Sequence, residues 1–180
     1  IEVDGKPQTF TGTGDAQNAG IATVYQEVNL CTNLTIGENV MLGHEVRGPL
    51  GINWKKTYEK SKKFLAQMGL EHLDPKAPLS SISIAMQQLV AIARAMVIDA
   101  KVLILDEPTN GLDPQGILEI RNLLIKLNRE QGLTLLISSH ILEELSKIAT
   151  HYAIIKNGRL VECLTSDELF EKCKDCLEIH

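Results

Sequence analysis

Lys101-Val-Leu-Ile-Leu-Asp-Glu-Pro-Thr109 decides the fold. An apolar run, Val102 to Leu105, leads straight into two adjacent carboxylates, Asp106 and Glu107. Such a run, set between helical patterns, predicts a strand covered on both faces of a parallel sheet. Ligands of open parallel sheets bind beyond the carboxyl ends of the strands. Asp106 and Glu107 are therefore expected at the mouth of a site. Ionised carboxylates there are costly unless something compensates them. A phosphate-bound Mg²⁺ would do so, and so would plain exposure to water. The pair alone leaves both readings open.

Downstream, Asn110-Gly-Leu-Asp113 is a tight loop, and Asp113 caps a helix with Pro114 at its first position. That helix stops at Gln131-Gly132. Leu133-Thr-Leu-Leu-Ile-Ser-Ser139 is a second apolar strand ending in polar residues and then His140. Residues 141–148 read as a helix. Residues 151–155 and 160–162 form a hairpin around Asn157-Gly158. Thr165 with Glu168 is a capping box opening a charged last helix.

Upstream, residues 1–10 read as two short edge strands, since Pro7 disfavours a central position. Ile21-Ala-Thr-Val-Tyr25 is a strand that ends at Gln26-Glu27. Thr35-Ile-Gly-Glu38 is a capping box. Asn53 caps a helix running from Trp54 to Met68 and closed by Gly69. Nothing between Val40 and Leu73 looks like a strand, so this stretch is expected to be all-helical. Ser83 caps a further helix with Leu89, Ile92, Ala93 and Met96 at helical spacing. Strands alternating with helices predict an α/β domain with a mostly parallel sheet.

Composition is that of an ordinary globular chain, with 44% hydrophobic and 23% charged residues among 180. Aromatics are only 4%, so the core must be aliphatic. The net charge of -5 argues against a general nucleic-acid binder. No apolar run approaches the roughly 18 residues of a membrane span, and no secretory signal is visible. Cys173-Lys-Asp-Cys176 lacks the second ligand pair of a zinc site and the context of a redox motif.

Four strand or helix ends thus carry polar residues of matching kind: Gln26, Ser83, Asp106 with Glu107, and His140. Here the sequence resembles the ATP-binding subunit of ABC transporters, over essentially its whole length. Leu103-Ile-Leu-Asp-Glu-Pro-Thr109 with Gly111-Leu-Asp113 looks like the Walker B strand and D-loop. Val24-Tyr-Gln26 looks like the Q-loop, and Ser138-Ser-His140 like the His switch. Ile82-Ser-Ile-Ala-Met86 stands where the family has its LSGGQ signature.

The resemblance implies a P-loop NTPase-like α/β fold lacking the Walker A strand, loop and helix. An incomplete nucleotide-binding core of 1–37 and 99–180 would enclose a helical signature subdomain of 38–98. The cofactors implied are ATP and Mg²⁺. Asp106 would hold Mg²⁺, and Gln26 would sense the metal and the γ-phosphate. Glu107 would orient the attacking water, and His140 would contact the γ-phosphate. Ser83 and the N–H groups of Ile84 and Ala85 would close on ATP of a second ATPase subunit, with Asp113 at the interface. Transmembrane permease subunits would complete the assembly at the cytoplasmic face of the membrane, and no nucleic acid is implied.

Two departures qualify this picture. No G-x-x-x-x-G-K-[ST] occurs, and the only Gly-Lys pair, Gly5-Lys6, precedes Pro7. The chain is therefore expected to be truncated at its N-terminus and not to hydrolyse ATP as it stands. In the signature, Ile84 and Ala85 replace glycines and Met86 replaces glutamine. Gln87 offers a substitute pointing about 100° away around the helix. A seam is also expected within 103–109. Residues 1 to about 100 resemble monosaccharide importer ATPases, whereas the part from Asn110 resembles bacitracin-type antibiotic exporters. Rival readings are a non-hydrolysing interaction module derived from such an ATPase, and a soluble relative in DNA repair or translation.

Overall fold

The apolar run of residues 102–105 forms the middle strand of a three-stranded parallel sheet. A computed structural model of the chain describes residues 1–3, 5–26 and 29–177, with side chains through Cys173. The expectations that touch Glu27 and the Cys176 side chain lie outside the described residues. Two compact units are present, Ile1–Ser138 and the segment from Ser139 onward.

The first unit opens with an antiparallel pair, β1 (Glu2–Val3) and β2 (Lys6–Pro7). Helix α1 (Thr13–Asn18) then leads into β3 (Ile21–Val24). Thr35 and Glu38 make the predicted capping box at the start of α2 (Ile36–Met41). Asn39 is fully buried yet satisfied, bonding Cys31 N–H at 2.7 Å, Cys31 O at 3.0 Å and Thr35 O at 2.9 Å. Asn53 caps α3 (Trp54–Gln67), and a 3-10 turn (Leu79–Ser81) precedes α4 (Ile84–Met96). Strand β6 (Val102–Asp106), helix α5 (Pro114–Gln131) and strand β7 (Thr134–Ser138) complete the unit.

One expectation fails in the helical stretch. Arg47–Gly48 (β4) and Gly51–Ile52 (β5) form a small antiparallel hairpin. Its strands are only two residues long, too short for any alternation to register in sequence. Gly51, with φ +116°, makes the turn possible.

The sheet order is β3-β6-β7, with Ala22, Leu103 and Leu135 in one row and Val24, Leu105 and Ile137 in another. Leu103 and Leu105 are fully buried. Each such leucine contributes roughly 1.5–3 kcal/mol by leaving water. Val102 and Ile104, on the other face, are only half-buried, and their neighbour Leu136 is 57% exposed. The expected burial on both faces is thus wrong. Helix α4 lies against β3, α5 lies against β7, and the two helices touch each other, so they cover one side.

The second unit contains α6 (Leu142–Leu145), shorter than expected, and the hairpin β8 (His151–Lys156) with β9 (Arg159–Thr165). Asn157 and Gly158 both have positive φ, 51° and 70°, as a two-residue hairpin turn requires. Tyr152 and Leu164 pair across the strands and are buried. Helix α7 (Ser166–Leu177) starts at the predicted capping box.

Candidate functional site

Parallel pairing brings the ends of β3, β6 and β7 to one edge of the sheet. Val24 aligns with Leu105, and Asp106 aligns with Ser138. Gln26 follows β3 by two residues and is exposed at this edge. Asp106 is also exposed, and the Ser138 hydroxyl donates to Asp106 Oδ1 at 2.5 Å. The Glu107 N–H donates to Ser138 O at 3.1 Å and reaches its Oγ at 3.3 Å. Ser138 therefore fastens both acidic residues, one by side chain and one by backbone.

Glu107 has φ +47°, a left-handed conformation that costs a non-glycine residue about 1–2 kcal/mol. Strain of this kind is commonly concentrated at functional positions. It turns the chain out of the sheet into a loop in which Asn110 N–H donates to Glu107 O at 3.1 Å. The loop delivers Asp113 to the start of α5, where its carboxylate accepts from Gly116 N–H at 3.1 Å.

The signature-like segment forms the start of α4. Ser83 caps it, accepting from Met86 N–H at 3.3 Å. The N–H groups of Ile84 and Ala85 lie in the first turn, where no helical carbonyl reaches them. Ile84 is 64% exposed, whereas Ala85 is buried. A methyl added at Gly116 would lie 2.7 Å from Ala85 Cβ, so the starts of α4 and α5 meet at this glycine. Ser83–Ala85 and Asp113 are thus mechanically linked. The Gln87 side-chain amide donates to Ile82 O at 3.1 Å, back toward the residue before the cap. Further along α4, Arg94 donates to Asn29 O at 2.7 Å, tying the loop after β3 to the helix. Burial lowers the Arg94 pKa from its ordinary value, opposed by the nearby Cys31.

Among the described residues no group of three or more His, Cys, Asp or Glu side chains could hold a metal by itself. Asp106 and Ser138 offer hard oxygen donors only. That set suits Mg²⁺, which takes one or two protein oxygens and completes its shell with water and substrate phosphates. Gly5, at φ +69°, lies in the β1–β2 turn and Lys6 opens β2 opposite Val3, so the pair does not sit in a loop between a strand and a helix as a phosphate cradle would. His140, exposed, belongs to the second unit. Sequence reading placed Ser138 in the His-switch-like motif without a role of its own, and did not mark Gly116 as the joint between helices. A polar residue ending the strand after the acidic one was the available signal for Ser138.

The family model for the ABC transporter matches residues 1–110. The chain belongs to the ABC transporter family. It is 64% identical over 168 residues to the fructose import ATP-binding protein FruK of Bifidobacterium longum, covering 93% of this chain and 33% of that one. The chain thus spans about a third of the length of this relative. A match of that extent also carries the importer likeness beyond the first hundred residues. Among solved structures, cbiO1 from Clostridium perfringens, part of the ABC transporter complex cbiONQ, superposes with a TM-score of 0.76 at 28% identity. That match covers 98% of this chain and 71% of the other. The ATP-binding cassette MJ0796, a dimer bound to ADP and Pi, gives a TM-score of 0.68 at 26% identity over 85% of this chain and 66% of its own. The fold is that of these ABC cassettes, α/β with a parallel sheet. No helix among the described residues is long and apolar enough to cross a membrane.

Proposed function

We propose that the chain is the nucleotide-hydrolysing part of an ABC transporter that imports a sugar. What carries the reading is the Ser138-fastened pair Asp106 and Glu107 at the carboxyl edge of the sheet, in a chain 64% identical to a fructose import ATP-binding protein. The reaction transfers the γ-phosphoryl group of ATP to water, giving ADP and phosphate. Positioning and charge neutralisation supply most of the catalysis. Asp106 and Gln26 would hold Mg²⁺, which when bound would neutralise charge on the phosphates. Ser138 fixes the Asp106 carboxylate for that task. Glu107 polarises the attacking water, and His140 donates to the γ-phosphate. Ser83 and the N–H groups of Ile84 and Ala85 close on ATP held by a second ATPase subunit, with Asp113 at the interface. Permease subunits in the membrane supply the transport path, and the cassette works at its cytoplasmic face.

A second reading, a non-hydrolysing interaction module, draws on one observation: no lysine-lined phosphate seat occurs in residues 1–180. Such a seat would have to come from outside these residues, so we expect no ATP turnover by the 180 residues alone. Replacing the matching segment of FruK with this chain separates the readings. The graft should support ATP-driven fructose uptake, and Glu107→Gln in the graft should lower hydrolysis at least about a hundredfold. Unchanged hydrolysis in the Glu107→Gln graft would refute the role of Glu107. A folded graft that never hydrolyses ATP would favour the second reading.

A further inference from the structure

The β4–β5 hairpin has an apolar tip that nothing in the first unit covers. Leu50, at its apex, is 104% exposed, and Ile52 and Trp54 are 42% and 44% exposed. The hairpin is nevertheless firmly seated. Asn53 N–H donates to Val46 O at 2.7 Å, and Val46 N–H donates to Thr57 Oγ1 at 3.0 Å. Trp54 stacks at a tilt against Tyr58, their ring centres 6.2 Å apart. The tip is therefore held out on a rigid base.

Helix α3, which starts at the foot of this hairpin, is strongly basic. It carries Lys55, Lys56, Lys60, Lys62 and Lys63 against the single acid Glu59, and all six are exposed. Arg47 adds an exposed cation on β4. The lysines lie on the side of the helix away from the buried Thr57, Ser61 and Leu65. Lys55 and Lys56 stand in the first turn, where the helix dipole disfavours cations. Helix stability therefore does not explain them. The whole chain carries -5, so this basic surface is a local reversal of sign.

We propose that the hairpin tip and the lysine face of α3 form a docking surface for an anionic phospholipid bilayer. Exposed apolar anchors beside lysines match the chemistry of an interface where headgroup phosphates overlie acyl chains. A nucleic acid would use the lysines but has no use for a fully exposed leucine at the apex. The surface needs neither ATP nor a second subunit, so its fate is independent of the proposed hydrolysis.

Trp54 is the sole tryptophan of the chain and, exposed at the foot of the hairpin beside the lysines, reports on the proposed surface. The 180-residue chain is mixed with phosphatidylcholine vesicles, with vesicles containing phosphatidylglycerol, and with single-stranded DNA, while tryptophan emission is followed. Phosphatidylglycerol vesicles should shift emission to the blue, and added salt should reverse the shift. Lys55→Gln with Lys56→Gln should weaken binding about fivefold per lysine. Leu50→Ser should weaken it about tenfold. Both changes fall on exposed side chains, and circular dichroism checks that each variant is folded. The proposal is overturned by the absence of a shift with phosphatidylglycerol, by an equal shift with phosphatidylcholine alone, by binding indifferent to both substitutions, or by DNA acting at lower phosphate concentration than the vesicles.

Discussion

Gly116→Ala should destabilise the chain although it places the best helix former inside a helix. The added Cβ would sit 2.7 Å from Ala85 Cβ and 2.9 Å from Asp113 Oδ1. Carbon atoms prefer roughly 3.5–4.0 Å, so the methyl groups overlap by about 1 Å. Overpacking costs about 1–3 kcal/mol, and two contacts under 3 Å, one of them to another methyl group, put this case at about 2–3 kcal/mol. Helix propensity returns about 1 kcal/mol. The net loss should be about 1–2 kcal/mol, which lowers the urea midpoint by about 0.5–1 M for an m-value near 2 kcal/mol/M. Ala85→Gly alone removes a buried methyl and should also destabilise. Together the two changes exchange one methyl for the other across the same contact. The double variant should therefore recover about 1–2 kcal/mol relative to the sum of the singles. Urea unfolding of all four chains measures this coupling. Additive losses, or a Gly116→Ala chain as stable as the parent, would refute the claim that this glycine sets the approach of α4 to α5. Under the proposed function the contact also sets how the helix starts carrying Ser83 and Asp113 are held.

Glu107→Gly should raise stability by about 0.5–1 kcal/mol, since relief of the φ +47° strain exceeds the extra freedom of glycine when unfolded. Thermal unfolding reads it, and a lower melting temperature would show that the Glu107 side chain stabilises the fold more than its backbone strains it. The capping box of α7 should be acid-sensitive. Hydrogen bonds from the Thr165 N–H and hydroxyl hold the Glu168 carboxylate below its ordinary pKa of 4.5, helped by Lys172 and His151. A depressed carboxylate stabilises the fold above its unfolded pKa and loses that contribution as pH falls through the folded one. Hydrogen-exchange protection at the start of α7 should thus fall as pH drops below 4.5, and Glu168→Gln should abolish this dependence.

The caps were legible because capping is local. Thr35 with Glu38, Asn53, Ser83, Asp113 and Thr165 with Glu168 each bond a backbone N–H within three residues, and each shows in sequence as a polar residue at the right offset. The Gln87 side chain shows the complementary case. Its bond to Ile82 O runs backwards to a residue before the helix, which no helical wheel displays. The partial exposure of Val102, Ile104 and Leu136 was equally hidden. Their apolar character is the same whether or not a second layer covers them. Ser138 and Gly116 depend on contacts to Asp106 and Ala85, each more than thirty residues away. Strand register and helix approach are tertiary quantities, and one sequence carries them only indirectly.

The adjacent acids show how the two levels combine. In a continuing strand, residues 106 and 107 would point to opposite faces of the sheet, because side chains alternate. Asp106 still belongs to the strand, where register sets it against Ser138. Glu107 has left it: φ +47° ends the alternation, while its N–H remains bonded to Ser138 O. One serine at the end of the neighbouring strand thus anchors the last regular residue and the first irregular one. A change of backbone character between the two acids frees the second from pointing to the opposite face. The left-handed residue makes that change at the cost of local strain, so under the proposed function it is at Glu107 rather than Asp106 that stability and catalysis would be opposed.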